Sequence, residues 1–147
     1  MSSKKQSAGL RPVIWLLKQL HNALRSATDE VLEPLGFTAS QAALLSALAY
    51  DSGLSNAELA RVSFVTPQSM VELLRSLEER ELIARRPDPS GGRAMPAELT
   101  PRGAQQLLAV HFALRQVEAR LLRDFSAEER SAFRALLERC LASLRAG

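Results

Sequence analysis

Polar side chains suited to contact with DNA bases follow Thr66 and Pro67 in the middle of the chain. Gln68 carries an amide that can pair with the edge of adenine, and Ser69 can hydrogen-bond to several bases. Glu72 can accept a hydrogen bond from the amino group of cytosine. These residue types at this spacing indicate contact with base edges in the major groove of double-stranded DNA.

A helix has to carry these side chains, and the sequence marks where it begins. Thr66 is a suitable N-cap, and Pro67 suits the first helical position, where the missing amide hydrogen does no harm. The first turn of such a helix has partly unpaired amides, which can hold a phosphate group. An apolar stripe at helical spacing turns the polar side chains toward other faces. The residues of this stripe are Met70, Leu73, Leu74 and Leu77.

A shorter helix comes before it. The segment from Ser55 to Glu58 has the form of a capping box, in which the Ser55 hydroxyl accepts from the third helical amide and Glu58 reaches back to the Ser55 amide. A helix is therefore predicted to begin at Asn56 and to end around residues 63–65, which leave room only for a tight turn. Two short helices joined by a turn of about three or four residues form a helix-turn-helix unit.

The residues after this unit predict a small β-hairpin. Residues 84–86 and 93–99 are typical of two short strands, and the Pro, Asp, Ser and Gly residues at positions 87–92 favour a turn between them. Pro96 cannot donate a backbone hydrogen bond, so it suits an edge strand. Arg93 is expected at or beside the tip, where an arginine can enter a narrow minor groove.

The candidate DNA-binding residues come from all three of these elements. They are Ser55, Thr66, Gln68, Ser69, Val71, Glu72, Arg75, Arg85, Arg86 and Arg93. Residues 55–102 contain seven arginines and seven acidic residues, so the segment is neutral as a whole. Five of these arginines but only three of the acids lie from Arg80 onward. We therefore expect phosphate contacts mainly from the β-hairpin, here called the wing, and from the helix ends rather than from a broad basic face.

Together these segments resemble the winged-helix regulators of the MarR type. The resemblance extends over nearly the whole chain, and the succession of segments is specific although no single piece is. The segments that carry it are Asn56-Ala57-Glu58-Leu59-Ala60, Val65-Thr66-Pro67-Gln68-Ser69-Met70, Leu77-Glu78-Glu79-Arg80, Arg85-Arg86-Pro87-Asp88-Pro89 and Leu99-Thr100-Pro101-Arg102-Gly103. The resemblance implies a homodimeric DNA-binding regulator whose terminal helices form the dimer interface. It also implies release from the operator by a small aromatic or phenolic ligand.

Two positions depart from the pattern of that family. The family commonly has an aspartate two residues before the wing arginine, whereas this chain has Gly91 before Arg93. Arg93 is therefore expected to be a looser anchor than the helix, with Asp88 as the nearest substitute in the sequence. The family also tends to have glycine after the second helix, whereas this chain has Glu81. A left-handed conformation would be strained at Glu81, so we expect a different local turn.

The other segments predict long helices, and the expected fold class is mainly α with a small two-stranded β wing. Residues 10–36 and 101–147 carry apolar stripes and are expected to form a helical dimerisation region. Residues 37–100 are expected to form the winged helix-turn-helix region. Residues 1–9 are rich in Ser and Lys, which favours a disordered tail.

Composition narrows the classes of protein further. With 147 residues, of which 46% are apolar, the chain suits one domain with a hydrophobic core. The net charge of +3 is a weaker basic bias than many DNA-binding proteins show. No segment has the apolar length of a signal peptide or a membrane span, so we expect a cytoplasmic protein with no membrane partner.

The single cysteine excludes an intrachain disulfide. Cys140 falls within an apolar stripe, so we expect a packed and inert thiol rather than a redox switch. His21 and His111 are too few for a structural zinc site, which normally needs about four ligands. We therefore expect no metal and no cofactor.

Trp15, His21 and His111 are the candidates for binding a small aromatic or anionic effector, in a cleft between the dimer helices and the winged-helix region. Ordinary packing or surface exposure is the alternative for each. No grouping of Ser, His and acid and no phosphate loop indicates a catalytic site, so an enzyme is not expected. The alternatives to a repressor are an activator and a winged-helix module that binds proteins, which the neutral charge and Glu72 would allow.

Overall fold

A computed structural model describes residues 11–51, 53–85 and 96–147 of the chain. The elements in chain order are α1 (Val13–Leu32), a 3-10 turn (Glu33–Leu35), α2 (Ala39–Tyr50), α3 (Asn56–Val62), α4 (Pro67–Glu79), β1 (Ile83–Arg85), β2 (Ala97–Leu99), α5 (Pro101–Leu121) and α6 (Ala127–Arg145). The helices and the strand pair confirm the predicted fold class, which is mainly α with a small β wing.

Hydrogen bonds at the helix starts confirm the predicted caps. Ser55 Oγ accepts from the Glu58 amide at 3.2 Å, and the Ser55 amide donates to the Glu58 carboxylate at 2.7 Å. Thr66 Oγ1 accepts from the Ser69 amide at 3.1 Å, and Pro67 occupies the first helical position. Side chains also cap α2, α5 and α6, at Thr38, Thr100 and Ser126. Each of these helices therefore begins where its own local sequence satisfies the first amides.

Three helical segments end in the same kind of turn, and only one of them has glycine there. The amides of Gly36, Phe64 and Glu81 each donate to the carbonyl three residues earlier, and the next amide reaches five residues back. The φ angles at these three residues are 77°, 57° and 59°. A left-handed conformation costs a residue with a Cβ about 1–2 kcal/mol, which glycine avoids. Phe64 and Glu81 therefore carry backbone strain that Gly36 does not.

Glu81 overturns one expectation, because the turn after α4 keeps a left-handed residue without glycine. The Glu81 carbonyl accepts a hydrogen bond from the Thr100 hydroxyl at 2.7 Å. Its carboxylate lies 3.5 Å from the guanidinium of Arg102. The prediction of a different local turn was wrong, since these contacts with the start of α5 hold the strained residue in place.

The two strands form the base of the wing. β1 and β2 pair antiparallel, with Ile83 opposite Leu99 and Arg85 opposite Ala97. The Thr100 amide extends the pairing by donating to the Leu82 carbonyl at 3.1 Å. The predicted wing tip, with Arg86, Gly91 and Arg93, lies outside the described residues.

The hydrophobic core lies mainly within residues 37–100, the winged-helix region. Among its described residues, eight large apolar side chains are no more than 2% exposed, namely Leu44, Leu45, Leu59, Met70, Leu74, Leu77, Leu82 and Ile83. Leu32 of α1 and Leu107 and Val110 of α5 also belong to this core. Burial of an apolar side chain of this size contributes about 1.5–3 kcal/mol, and these side chains are buried within a single chain.

The terminal helices, by contrast, leave apolar side chains uncovered. In α6, which is described in full, no residue is buried, and Cys140 is exposed. The expectation of a packed Cys140 was therefore wrong for the single chain, because no described element covers the part of α6 that carries Cys140. Among the described residues no single helix is long and apolar enough to cross a membrane, and the segments Val13–Leu35 and Ala39–Tyr50 satisfy length and composition only as a pair bent by 80°.

Candidate nucleic-acid interface

Helix α4 presents the predicted base-reading side chains on its outer surface. Its apolar stripe is inside, because Met70, Leu74 and Leu77 are at most 1% exposed. The five candidates on the helix are all exposed, namely Gln68, Ser69, Val71, Glu72 and Arg75. The structure thus brings half of the predicted DNA-binding residues together on one accessible helix.

The cap at the start of α4 limits which groups of the first turn are available. The Thr66 hydroxyl donates to Ser69 Oγ at 3.0 Å while it accepts from the Ser69 amide. Pro67 has no amide hydrogen to offer. The Gln68 amide lies outside the cap, so it is the first-turn donor best placed for a phosphate.

Ser55 performs a structural role at the start of α3. Its hydroxyl and amide are both engaged with Glu58. The hydrogen bonds from the Ser55 amide and the Ser55 hydroxyl hold the pKa of the Glu58 carboxyl below its ordinary value, more than burial raises it. The predicted contact of Ser55 with DNA would therefore have to be made while its amide and hydroxyl remain bonded to Glu58.

Arg80 and Arg85, the described arginines of the second half of the winged-helix region, both contact groups within the protein. Arg80 donates to the Gly36 carbonyl at 2.9 Å and lies over the ring of Phe37, 4.4 Å from its centroid. Arg85, a predicted DNA contact, is half-buried, and its Nε lies 4.0 Å from a carboxylate oxygen of Glu78. The positive charge of Arg80 and Arg85 is consequently less available to phosphates than the count of residues suggests.

Exposed positive charge remains on the helix-turn-helix unit itself. Arg61 lies in the last turn of α3, and Arg75 lies on α4. Both side chains are exposed. Arg86 and Arg93 were also predicted to contact DNA, and they lie outside the described residues.

Phe64, like Arg61, is an exposed residue of this surface that sequence reasoning missed. It lies in the turn between α3 and α4 and is 90% exposed. Val62 and Val71 are exposed as well, by 44% and 57%. The available signal was an aromatic residue in a short connection, where polar residues and glycine are usual.

The three candidate ligand-binding residues lie in different surroundings. His111 Nε2 is 2.9 Å from Ser46 Oγ, which links α5 to α2. The half-buried Trp15 has the guanidinium of Arg11 4.1 Å from its ring centroid. His21 lines an open depression of about 320 Å³ on α1.

That depression is formed by residues of one helix. Its lining residues are Ile14, Leu17, Lys18, His21 and Asn22. Neither Trp15 nor His111 lines it, so the three candidates do not share this depression. Within the described ranges, no group of three or more His, Cys, Asp or Glu residues could hold a metal ion.

Two capped helices joined by a tight turn, followed by an antiparallel strand pair, define a winged helix-turn-helix protein. The sequence model of the MarR family matches residues 35–94. The HTH-type transcriptional repressor Rv2887 of Mycobacterium tuberculosis is 38% identical over 128 residues, which are 87% of this chain and 92% of that protein. The chain belongs to the MarR family.

Solved structures agree with this assignment. The Mycobacterium tuberculosis MarR family protein Rv2887 in complex with salicylic acid superposes with a TM-score of 0.76 at 37% identity, covering 90% of this chain and 98% of that chain. The same protein in complex with DNA also gives a TM-score of 0.76, at 34% identity over 89% of this chain and 98% of that chain. The likeness therefore includes the terminal helices as well as the winged-helix region.

Proposed function

We propose that this chain is a homodimeric transcriptional repressor that binds a pseudo-palindromic operator through α4. The observation that carries this proposal is the exposed row of Gln68, Ser69 and Glu72 at the N-terminal end of a helix whose apolar side is buried. Such a helix fits the major groove, where amide, hydroxyl and carboxylate groups distinguish base pairs. The relative crystallised with DNA has the same fold. We accordingly assign the chain to gene regulation in the cytoplasm, and not to catalysis.

The terminal helices supply the dimer interface in this proposal. Large apolar side chains of α1, α5 and α6 remain exposed, among them Val13, Ile14, Leu108, Phe112, Leu136 and Leu141. Large apolar side chains left exposed in this way favour association, and a two-fold dimer buries the same patch of both chains. Residues 10–36 and 101–147 would thus dimerise, and residues 37–100 would bind DNA.

A small aromatic acid is the proposed effector. A relative is known in complex with salicylic acid. In this chain Lys18 and His21 place basic side chains beside Ile14 and Leu17 in the depression on α1. A partner chain laid against α1 would close this depression, and a closed apolar pocket with a few polar groups is the usual form of a ligand site. Addition of salicylate to the operator complex is expected to release DNA.

Selection of operator fragments from a random duplex library by the purified protein tests the main proposal. The recovered sites are expected to be pseudo-palindromic, with half-sites about 10–10.5 base pairs apart or a multiple of that spacing. Affinity is expected to fall steeply as salt rises, because phosphate binding releases counterions. Absence of retardation of any duplex at low salt would favour the alternative of a protein-interaction module.

The Gln68→Ala variant tests base reading by α4. We expect a loss of preference at one base pair, by about 1–3 kcal/mol, with other positions unchanged. The matched control is Gln105→Ala, which removes an exposed glutamine from α5 instead. Equal weakening on every sequence would show that Gln68 contacts the backbone and does not read a base.

A further inference from the structure

Phe64 has a left-handed backbone conformation that is usual only for glycine. It is the left-handed residue after α3, with φ of 57°. Its amide donates to the Arg61 carbonyl at 3.3 Å, and the next amide donates to the Ala60 carbonyl at 3.0 Å. Glycine is usual at this point because a Cβ is strained in that conformation. A bulky aromatic residue there is an outlier whose presence calls for a physical reason.

Packing within the fold does not supply that reason. The strained Glu81 at the other end of α4 is held by Thr100 and lies beside Arg102. The ring of Phe64, however, is 90% exposed, so the folded chain gains little from burying it. The same strain is thus compensated by contacts at Glu81 and left uncompensated at Phe64.

Phe64 lies close to the N-terminal end of α4, where the proposed contacts with DNA bases are made. Phe64 lies two residues before the cap Thr66, so its Cα is within about 7 Å of the start of that helix. This is the end of α4 that carries Gln68 and Ser69. The exposed Val71 adds apolar surface one turn further along the same helix.

Double-stranded DNA offers one apolar group in the major groove, the methyl group of thymine. Phenylalanine is among the side chains that contact this methyl group. We propose that Phe64 packs against a thymine methyl of the operator and adds apolar readout beside the polar readout of α4. This inference rests on the proposed function, since it requires that α4 enters the major groove.

A pair of glycine variants separates a role in binding from a role in folding. Phe64→Gly and Glu81→Gly both relieve a left-handed residue, so both are expected to raise the melting temperature, by about 3 °C. Phe64→Gly is expected to weaken operator binding about tenfold, whereas Glu81→Gly leaves it unchanged. Phe64→Gly that binds the operator as tightly as the natural protein overturns the proposal.

Replacement of operator thymines by deoxyuridine, one at a time, identifies the partner of the ring. Deoxyuridine lacks only the methyl group, so one substitution is expected to weaken binding of the natural protein but not of Phe64→Gly. Equal sensitivity of both proteins at every thymine overturns the proposal. Failure of the natural protein to retard any duplex at low salt overturns the proposed function itself, which distinguishes the two failures.

Discussion

The winged-helix region and the terminal helices differ in how completely one chain buries their apolar side chains. Helix α2 has 12 residues and buries four of them, Ala42, Leu44, Leu45 and Leu48. Helix α6 has 19 residues and buries none. Contacts of α6 concentrate at its start, where Phe133 packs edge-on against Phe125 with ring centroids 5.7 Å apart. One chain thus buries the core of the winged-helix region. The apolar side chains of α6 stay exposed until a second surface covers them.

The largest expected effect comes from a substitution at the junction between the two regions. Gly103 in the first turn of α5 is buried, and a Cβ there would collide with the backbone carbonyl of Leu82. Gly103→Ala is expected to destabilise the protein by about 3 kcal/mol, because backbone atoms rather than a flexible side chain would have to move. Urea denaturation measures the change in the free energy of unfolding.

Gln105→Ala is the control for this junction variant, since it adds no atoms at an exposed site of the same helix. Its free energy of unfolding is expected to stay within about 0.5 kcal/mol of the natural value. An equally stable Gly103→Ala would show that α5 can move away from Leu82 without harm to the wing.

The second largest effect is expected from a charged residue on the exposed apolar face of α6. Leu141 is 52% exposed in the single chain, so Leu141→Asp costs the monomer little. In a dimer it would bury an unpaired carboxylate, and we expect a monomer with about 100-fold weaker operator binding. Sedimentation gives the mass, and circular dichroism is expected to show the helices retained.

Ala142→Asp is the matched control, because it adds the same charge one residue later, on the side of the helix away from the apolar stripe. The dimer and the operator affinity are expected to survive in this variant. A dimer that persists in Leu141→Asp would remove α6 from the interface.

A smaller effect on stability is expected at the left-handed residue after α4. Glu81→Gly is expected to raise the free energy of unfolding by about 1 kcal/mol, because glycine adopts the left-handed conformation without strain. Loss of the exposed ion pair with Arg102 subtracts little. Glu79→Gly, in the last turn of α4, is expected to lower stability by about 1 kcal/mol instead. A decrease for both variants would mean that the contacts of the Glu81 side chain outweigh its strain.

The smallest expected effect concerns the cap of α3. The pKa of Glu58 is lowered by its hydrogen bonds to Ser55, so the folded state favours the ionised carboxylate. The stabilisation is present above the pKa of the unfolded state and is lost as the pH falls through the lowered pKa of the folded state. Glu58→Gln is therefore expected to be less stable than the natural protein at neutral pH and to lose less stability on acidification. Urea denaturation at neutral and acid pH measures this difference, and parallel curves would contradict it.

The local sequence was sufficient for the starts of the helices and for the DNA-facing side of α4. Caps such as Ser55 with Glu58 join residues three apart, and the apolar stripe of α4 repeats within one helix. Interactions of such short range depend on residue type and spacing alone. For the same reason the succession of these segments already predicted the fold class, and the same segments carried the resemblance to the MarR family.

Tertiary structure decided which of the predicted side chains are available. Arg80 is bound to Gly36, 44 residues away, and Ser46 meets His111 across 65 residues, so neither contact could be read from spacing. Exposure of Cys140 depends on whether another element covers its helix, which periodicity alone does not state. Sequence thus determined where each helix begins and which face is apolar, because those properties are local. Long-range packing determined which charges are engaged, which apolar faces remain open and where strain persists.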